Sequence, residues 1–142
     1  MSALIADGKS LRCGGVACVK RVEHPVSAAR LVLNETDHCL MVGDAVEKLA
    51  RKHKLSIVDN EQTISEYKIE ELKTMGHTPY GEIRTRYMFH DTVGAVAYDR
   101  NGNLAAATST GGICGQLGGK ICCHLTLLGI PSNYLNSFSR SE

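Results

Sequence analysis

The chain has 142 residues, 43% hydrophobic and 22% charged, which supplies one buried core and argues against a chain that is disordered as a whole. Sixteen Lys and Arg against fifteen Asp and Glu give a formal charge of +1, so nothing points to a nucleic-acid surface built on bulk charge. No apolar run approaches the roughly 20 residues of a bilayer crossing, and the apolar stretch after Met1 is too short for a secretion signal.

Six cysteines (Cys13, Cys18, Cys39, Cys114, Cys122, Cys123) show no C-x-x-C spacing, and the neighbours Cys122, Cys123 and His124 are badly placed to converge on one ion. No metal and no cofactor are expected. In a cytoplasmic, reducing compartment these cysteines read as free thiols packed as small hydrophobes.

In chain order, the β-branched run 14–22 predicts a strand, closed by His24-Pro25. Pro25 suits the first turn of a helix carrying Ala28, Ala29, Leu31, Val32 and Leu33, with Asn34 as a stop. A short run at 39–42 leads to Gly43-Asp44, where Asp44 is an N-cap candidate for a helix with Val46, Leu49 and Ala50 on one side. Lys48, Arg51, Lys52 and Lys54 sit toward its end as a solvated basic face. Thr63-Ile64-Ser65-Glu66 has capping-box spacing before a helix over 67–75, which Gly76 ends. From 77 to 87 the chain loses periodicity and reads as an exposed linker.

The second half opens with a small, apolar run at 92–98, then Asn101-Gly102, then Leu104 to Thr110 and Gly111-Gly112. Asn-Gly between two such runs predicts a β-hairpin. The small side chains suggest a strand buried on both faces. Pairing about the turn brings Thr92 near Thr110, which sets two hydroxyls at one open end of a sheet. Threonine is also an ordinary strand residue, and Gly111-Gly112 fits either a turn ending a strand or a close backbone approach to a site.

His90-Asp91-Thr92-Val93-Gly94-Ala95-Val96-Ala97, with Gly102-Asn103-Leu104-Ala105-Ala106-Ala107-Thr108-Ser109-Thr110-Gly111-Gly112, closely resembles the isoaspartyl peptidase and plant-type asparaginase family, which includes glycosylasparaginase and the threonine aspartase. Asp7-Gly8-Lys9-Ser10-Leu11-Arg12-Cys13-Gly14-Gly15-Val16 and His24-Pro25-Val26 look like the same family's region before its linker. The resemblance implies an α+β fold, part of the αββα sandwich of N-terminal-nucleophile hydrolases. It implies cleavage of the chain's own backbone between Asp91 and Thr92, with Thr92 as nucleophile and Thr110 aligning it. A hydroxyl needs a nearby base, and the amine freed by cleavage has an ordinary pKa of about 8. The implied substrate is a small molecule or peptide, either L-asparagine or a β-aspartyl linkage. His90-Asp91 departs from the commonest Gly-Thr junction and leaves the choice among asparagine, isoaspartyl peptides and glycosylated asparagine open.

Where the family carries a Gly-Arg-Val-Gly-Asp run that grips the substrate, this chain has Gly119-Lys120-Ile121-Cys122-Cys123. Lys120 keeps the charge without the bidentate fork, and Cys123 offers no carboxylate to an ammonium group. Gly111, Gly112 and Lys120 are the substrate-binding candidates. The chain divides into a segment over 1–91 with its linker at about 76–91, a second segment over 92–120, and a divergent tail over 121–142. It reads as a family member truncated at both ends. That leaves two functional readings: a self-cleaving amidohydrolase, which the resemblance implies forms oligomers, or an inactive member that pairs with a full-length homologue.

Overall fold

The computed structural model describes residues 1–75, 92–112 and 116. Its strands are β1 (Ser2–Asp7), β2 (Arg12–Ala17), β3 (Leu40–Val42), β4 (Thr92–Tyr98) and β5 (Leu104–Thr110). The helices are α1 (Pro25–Glu35), α2 (Asp44–Lys52) and α3 (Glu66–Met75), with a short 3-10 turn at Asn60–Thr63. One sheet takes the order β3-β2-β1-β5-β4. β1 pairs antiparallel with β2 and with β5, β4 pairs antiparallel with β5, and β3 joins β2 in parallel after the α1 crossover. The two chain segments on either side of 76–91 therefore meet in one sheet along β1 and β5.

Alternation along the strands decides what each face touches. Ala3, Ile5 and Val16 face the helices and pack with Ala28, Ala29 and Val32 of α1 and Val46 of α2. The approach is closest at Gly14, where a Cβ would lie 2.4 Å from the Ala29 carbonyl oxygen and 2.5 Å from the Leu33 nitrogen. Only a residue without a side chain lets α1 sit this low on β2. The opposite face carries Leu4, Ala6, Val96, Ala106 and Thr108 around a shallow concavity of about 300 Å³. No described helix lies on it.

Pro25 opens α1 as expected, and α1 continues one residue past Asn34 to Glu35. There the Thr36 hydroxyl donates to the Val32 carbonyl at 2.8 Å. Other details differ from expectation. The strand expected over 14–22 starts at Arg12 and stops at Ala17, because Cys18 turns into the left-handed region (φ 55°) and Val19 and Val22 leave the sheet to bury in the helical core. Gly43, not Asp44, is the N-cap of α2: its φ of 63° makes the entry turn, and Asp44 begins the helix in the first-turn position that suits an anion. Ser65 rather than Thr63 caps α3, its Oγ accepting from the Lys68 N–H at 3.3 Å. Thr63 instead donates to the Asn60 carbonyl at 2.7 Å. Cys13 and Cys39 are exposed rather than packed, Cys18 is half-buried, and none of the three is in a disulfide.

Lys48, Arg51, Lys52 and Lys54 are exposed at the end of α2. No helix among the described residues is long and apolar enough to cross a membrane. The linker, the Gly76 stop, Asp91, Lys120, Cys122 to His124 and the tail lie outside the described residues.

Candidate active site

The hairpin sets the site. β4 and β5 pair Thr92 with Thr110 and Tyr98 with Leu104, so the register is fixed along the whole ladder. The turn is not the two-residue form that Asn-Gly suggests. Gly102 donates its N–H to the Asp99 carbonyl, Asp99 donates to the Asn103 carbonyl, and Gly102 alone takes a positive φ, 82°. This is a three-residue loop with glycine in the left-handed position. The Asp99 carboxylate stabilises it by accepting from the N–H groups of Asn101 and Asn103 and from Asn103 Nδ2, all at 2.7–2.8 Å. The Asn103 side-chain bond and then the backbone N–H bonds hold the Asp99 carboxyl below its ordinary range.

At the far end of the hairpin Thr92 and Thr110 are direct cross-strand partners, so both side chains project from the same face, with Cβ atoms about 4.5–5.5 Å apart. Parity places them with Gly94, Val96, Ala106 and Thr108, on the face that α1 leaves open. Thr92 is exposed and Thr110 half-buried. The expectation that this strand is buried on both faces is wrong: every residue of β4 is exposed. β4 is the outermost strand and the helix layer sits over β1 and β2, so small side chains here leave surface uncovered rather than filling a tight interior.

Gly112 stands two residues past Thr110 with φ 88° and donates its N–H to the Thr110 Oγ1 at 3.2 Å. The left-handed φ at Gly112 is one that a side chain would strain. A Cβ there would also meet Gln116 Oε1 at 2.7 Å. Gly111 is unconstrained, with nothing within 4 Å of a built Cβ. At Gly94 a Cβ would press on the Thr108 methyl at 3.3 Å, so its small size keeps the open face shallow beside Thr92. Among the described residues no group of three His, Cys, Asp or Glu side chains is placed to hold a metal ion.

Two features escaped the sequence reading. Ser2 on β1 lies opposite Thr110, so Ser2, Thr110 and Thr92 form one row across three strands. Arg21 binds the buried Glu47 of α2 through Nε and Nη2, at 2.9 and 2.6 Å. Burial pushes the Glu47 carboxyl up, but hydrogen bonding and charge from Arg21 outweigh it and hold the group below its usual range.

A helix-backed sheet with paired threonines at the strand end of its open face is an α+β arrangement, one sheet and one helical layer of an αββα sandwich. The asparaginase family model matches residues 1–123, and the chain belongs to that family, whose fold is of the N-terminal-nucleophile hydrolase type. An isoaspartyl peptidase/L-asparaginase of Danio rerio is 36% identical over 121 residues, covering 85% of this chain and 39% of the relative. An isoaspartyl peptidase of Salmonella typhimurium is 39% identical over 129 residues, covering 85% and 41%. An isoaspartyl peptidase/L-asparaginase of Mus musculus is 39% identical over 127 residues, covering 85% and 37%. The chain spans about two fifths of the length of these curated relatives.

Proposed function

We propose that this chain carries the nucleophile-bearing part of an amidohydrolase that cleaves its own backbone between Asp91 and Thr92 and then hydrolyses L-asparagine or β-aspartyl peptides. The observation that carries the reading is the in-register pairing of Thr92 with Thr110 on the open face at the start of β4. Relatives named for these activities support the substrate class.

The chemistry follows from what cleavage would create. A threonine hydroxyl is a weak nucleophile until a base takes its proton. The new α-amine of Thr92, with an ordinary pKa of about 8, would stand on the same residue and accept that proton near neutral pH. Thr92 Oγ1 would then attack the side-chain carbonyl carbon of the substrate. Collapse of the tetrahedral adduct breaks the C–N bond, and ammonia or the peptide amine leaves with the proton. Water adds to the resulting ester, releasing the carboxylate and restoring the hydroxyl. Thr110 would hold the Thr92 oxygen on the attacking line, with its own Oγ1 steadied by the Gly112 N–H. Gly111, Gly112 and Lys120 are assigned to the substrate, the Lys120 ammonium serving as a point charge for its carboxylate.

Intact mass after incubation tests this reading. The wild-type chain is expected to split into fragments ending at Asp91 and starting at Thr92, and Thr92→Ala to stay whole. Thr110→Ala is expected to slow the split by about tenfold, the scale of one lost hydrogen bond in a transition state. A wild-type chain that remains one piece after long incubation refutes the proposal.

The uncovered apolar face supports a second reading, an inactive chain that pairs with a longer homologue. Val96 is 86% exposed and Tyr98 73% exposed there, a surface that protein partners cover elsewhere. Co-purification with the homologue is expected on this reading, and a chain that stays soluble and monomeric alone refutes it.

A further inference from the structure

We propose that Asn101 is a modification site, where attack by the Gly102 nitrogen converts the side-chain amide, through a cyclic imide, into a β-aspartyl linkage. The inference stands apart from the amidohydrolase reading and does not depend on it.

The chemistry requires the nitrogen of the following residue to reach the side-chain carbonyl carbon of an asparagine. A Cβ on that residue obstructs the approach, so glycine is the favourable neighbour. Of the six asparagines only Asn101 precedes a glycine; Asn34 and Asn60 precede Glu35 and Glu61, Asn103 precedes Leu104, and Asn133 and Asn136 precede Tyr134 and Ser137. The new C–N bond forms as the Gly102 N–H proton passes to solvent, and the amide nitrogen leaves as ammonia. Water then opens the imide. Opening at the main-chain carbonyl turns that carbon into a carboxylate and routes the backbone through the Asn101 side chain. Opening at the other carbonyl gives ordinary aspartate.

The hairpin turn presents this pair to solvent. Asn101 and Gly102 are both exposed, and a Cβ built on Gly102 meets only the Tyr98 hydroxyl oxygen, at 3.8 Å. Asn101 is anchored by its backbone N–H, which donates to the Asp99 carboxylate, while its side-chain amide makes no hydrogen bond among the described residues. The Gly102 N–H donates to the Asp99 carbonyl at 3.2 Å, the long end of the range for such bonds. The other described asparagines are restrained. Asn103 gives its Nδ2 to Asp99 at 2.7 Å, Asn34 lies within α1, and Asn60 lies in the 3-10 turn. Asp7-Gly8 could close the same ring by losing water, but it is held at both ends. The Asp7 carboxylate accepts from the Lys9 and Ser10 N–H groups at 3.2 Å, and the Gly8 N–H donates to the Leu104 carbonyl at 2.7 Å.

Conversion acts on the turn itself. A β-linkage adds a methylene to the path between Asp99 and Asn103, whose ends are now tied by the Asp99 N–H donating to the Asn103 carbonyl at 3.0 Å. It also puts a new carboxylate next to that of Asp99, and like charges this close repel. Both effects loosen the hairpin where Tyr98 pairs with Leu104.

The test incubates the full 142-residue chain under native conditions at mildly alkaline pH, beside Asn101→Gln and beside wild type unfolded in urea. Peptide mapping locates each amide-to-acid conversion, and methyl transfer by a protein isoaspartyl methyltransferase labels the β-linked fraction. Native wild type is expected to convert at 101 ahead of every other asparagine and to take the label there. Asn101→Gln, whose longer side chain would have to close a larger ring, is expected to take no label at that position. Conversion at 101 in the unfolded chain alone overturns the proposal, because the bond from Gly102 to Asp99 then shields the site. Native conversion at 101 no faster than at Asn34 or Asn60 overturns it as well, and so does conversion that takes no methyl label.

Discussion

Replacing Gly14 by alanine tests whether α1 is seated as low on the sheet as the structure has it. The new methyl would lie 2.4 Å from the Ala29 carbonyl oxygen, 2.5 Å from the Leu33 nitrogen and 2.8 Å from the Leu33 Cβ. Ordinary van der Waals contact begins at 3.4 Å, so α1 must withdraw from β2 by about 1 Å. Two of the clashing atoms belong to the helix backbone, which cannot rotate aside as a side chain does. A gap of that size forfeits a quarter to a half of each contact the helix makes, and α1 buries Ala28, Ala29, Val32 and Leu33. The expected loss is about 2–4 kcal/mol, at or above the upper range of overpacking effects. Gly15→Ala is the control: its methyl meets the Leu40 and Leu4 Cδ1 atoms at 3.1 and 3.3 Å, ends that can swing away, and the Cys39 carbonyl oxygen at 3.4 Å, an ordinary contact. That change is expected to cost less than about 1 kcal/mol. Urea unfolding of the two variants beside wild type reads the difference as a shift in midpoint at constant slope. Equal losses in the two variants would show that α1 does not rest on Gly14.

Two further outcomes follow from the turn and the ion pair. Gly102→Ala forces a side chain to a φ of 82° and is expected to cost about 1 kcal/mol, with Gly102→Asn costing less; thermal melting checks both, and an unchanged midpoint refutes the turn geometry. Glu47 is held below its usual range, so its contribution to stability is complete above the ordinary glutamate pKa of about 4.3 and is lost as pH falls through the lower folded value. In Arg21→Ala the guanidinium's hydrogen bonds and charge are lost while burial and the backbone N–H bonds of residues 20 and 21 remain, so the Glu47 carboxyl rises relative to wild type and the stability gap is expected to widen as pH rises through the carboxylate range. A gap that is constant with pH refutes the coupling.

What the sequence made legible was local. Pro25 announces the first turn of α1, and Asn101-Gly102 marks a turn that places Thr92 opposite Thr110. The form of that turn was hidden because Asp99 supplies a carboxylate to the Asn101 and Asn103 N–H groups, which favours the longer loop. The end of β2 was hidden because a left-handed Cys18 has no compositional signal of the kind glycine gives. β4 was misread for a different reason: small side chains indicate a close neighbour only when some other layer supplies it, and the helices lie elsewhere. Ser2 was invisible because its place in the hydroxyl row depends on β1 pairing with β5, a contact between distant parts of the chain.

That last pairing has a consequence for any cut between residues 76 and 91. β1 and β5 are zipped by six register pairs, from Ser2 with Thr110 to Asp7 with Ala105, and these lie on opposite sides of the cut. A nicked molecule would therefore travel as one particle under native conditions and come apart only in denaturant. Its elution volume on a sizing column would say nothing about whether the backbone was intact.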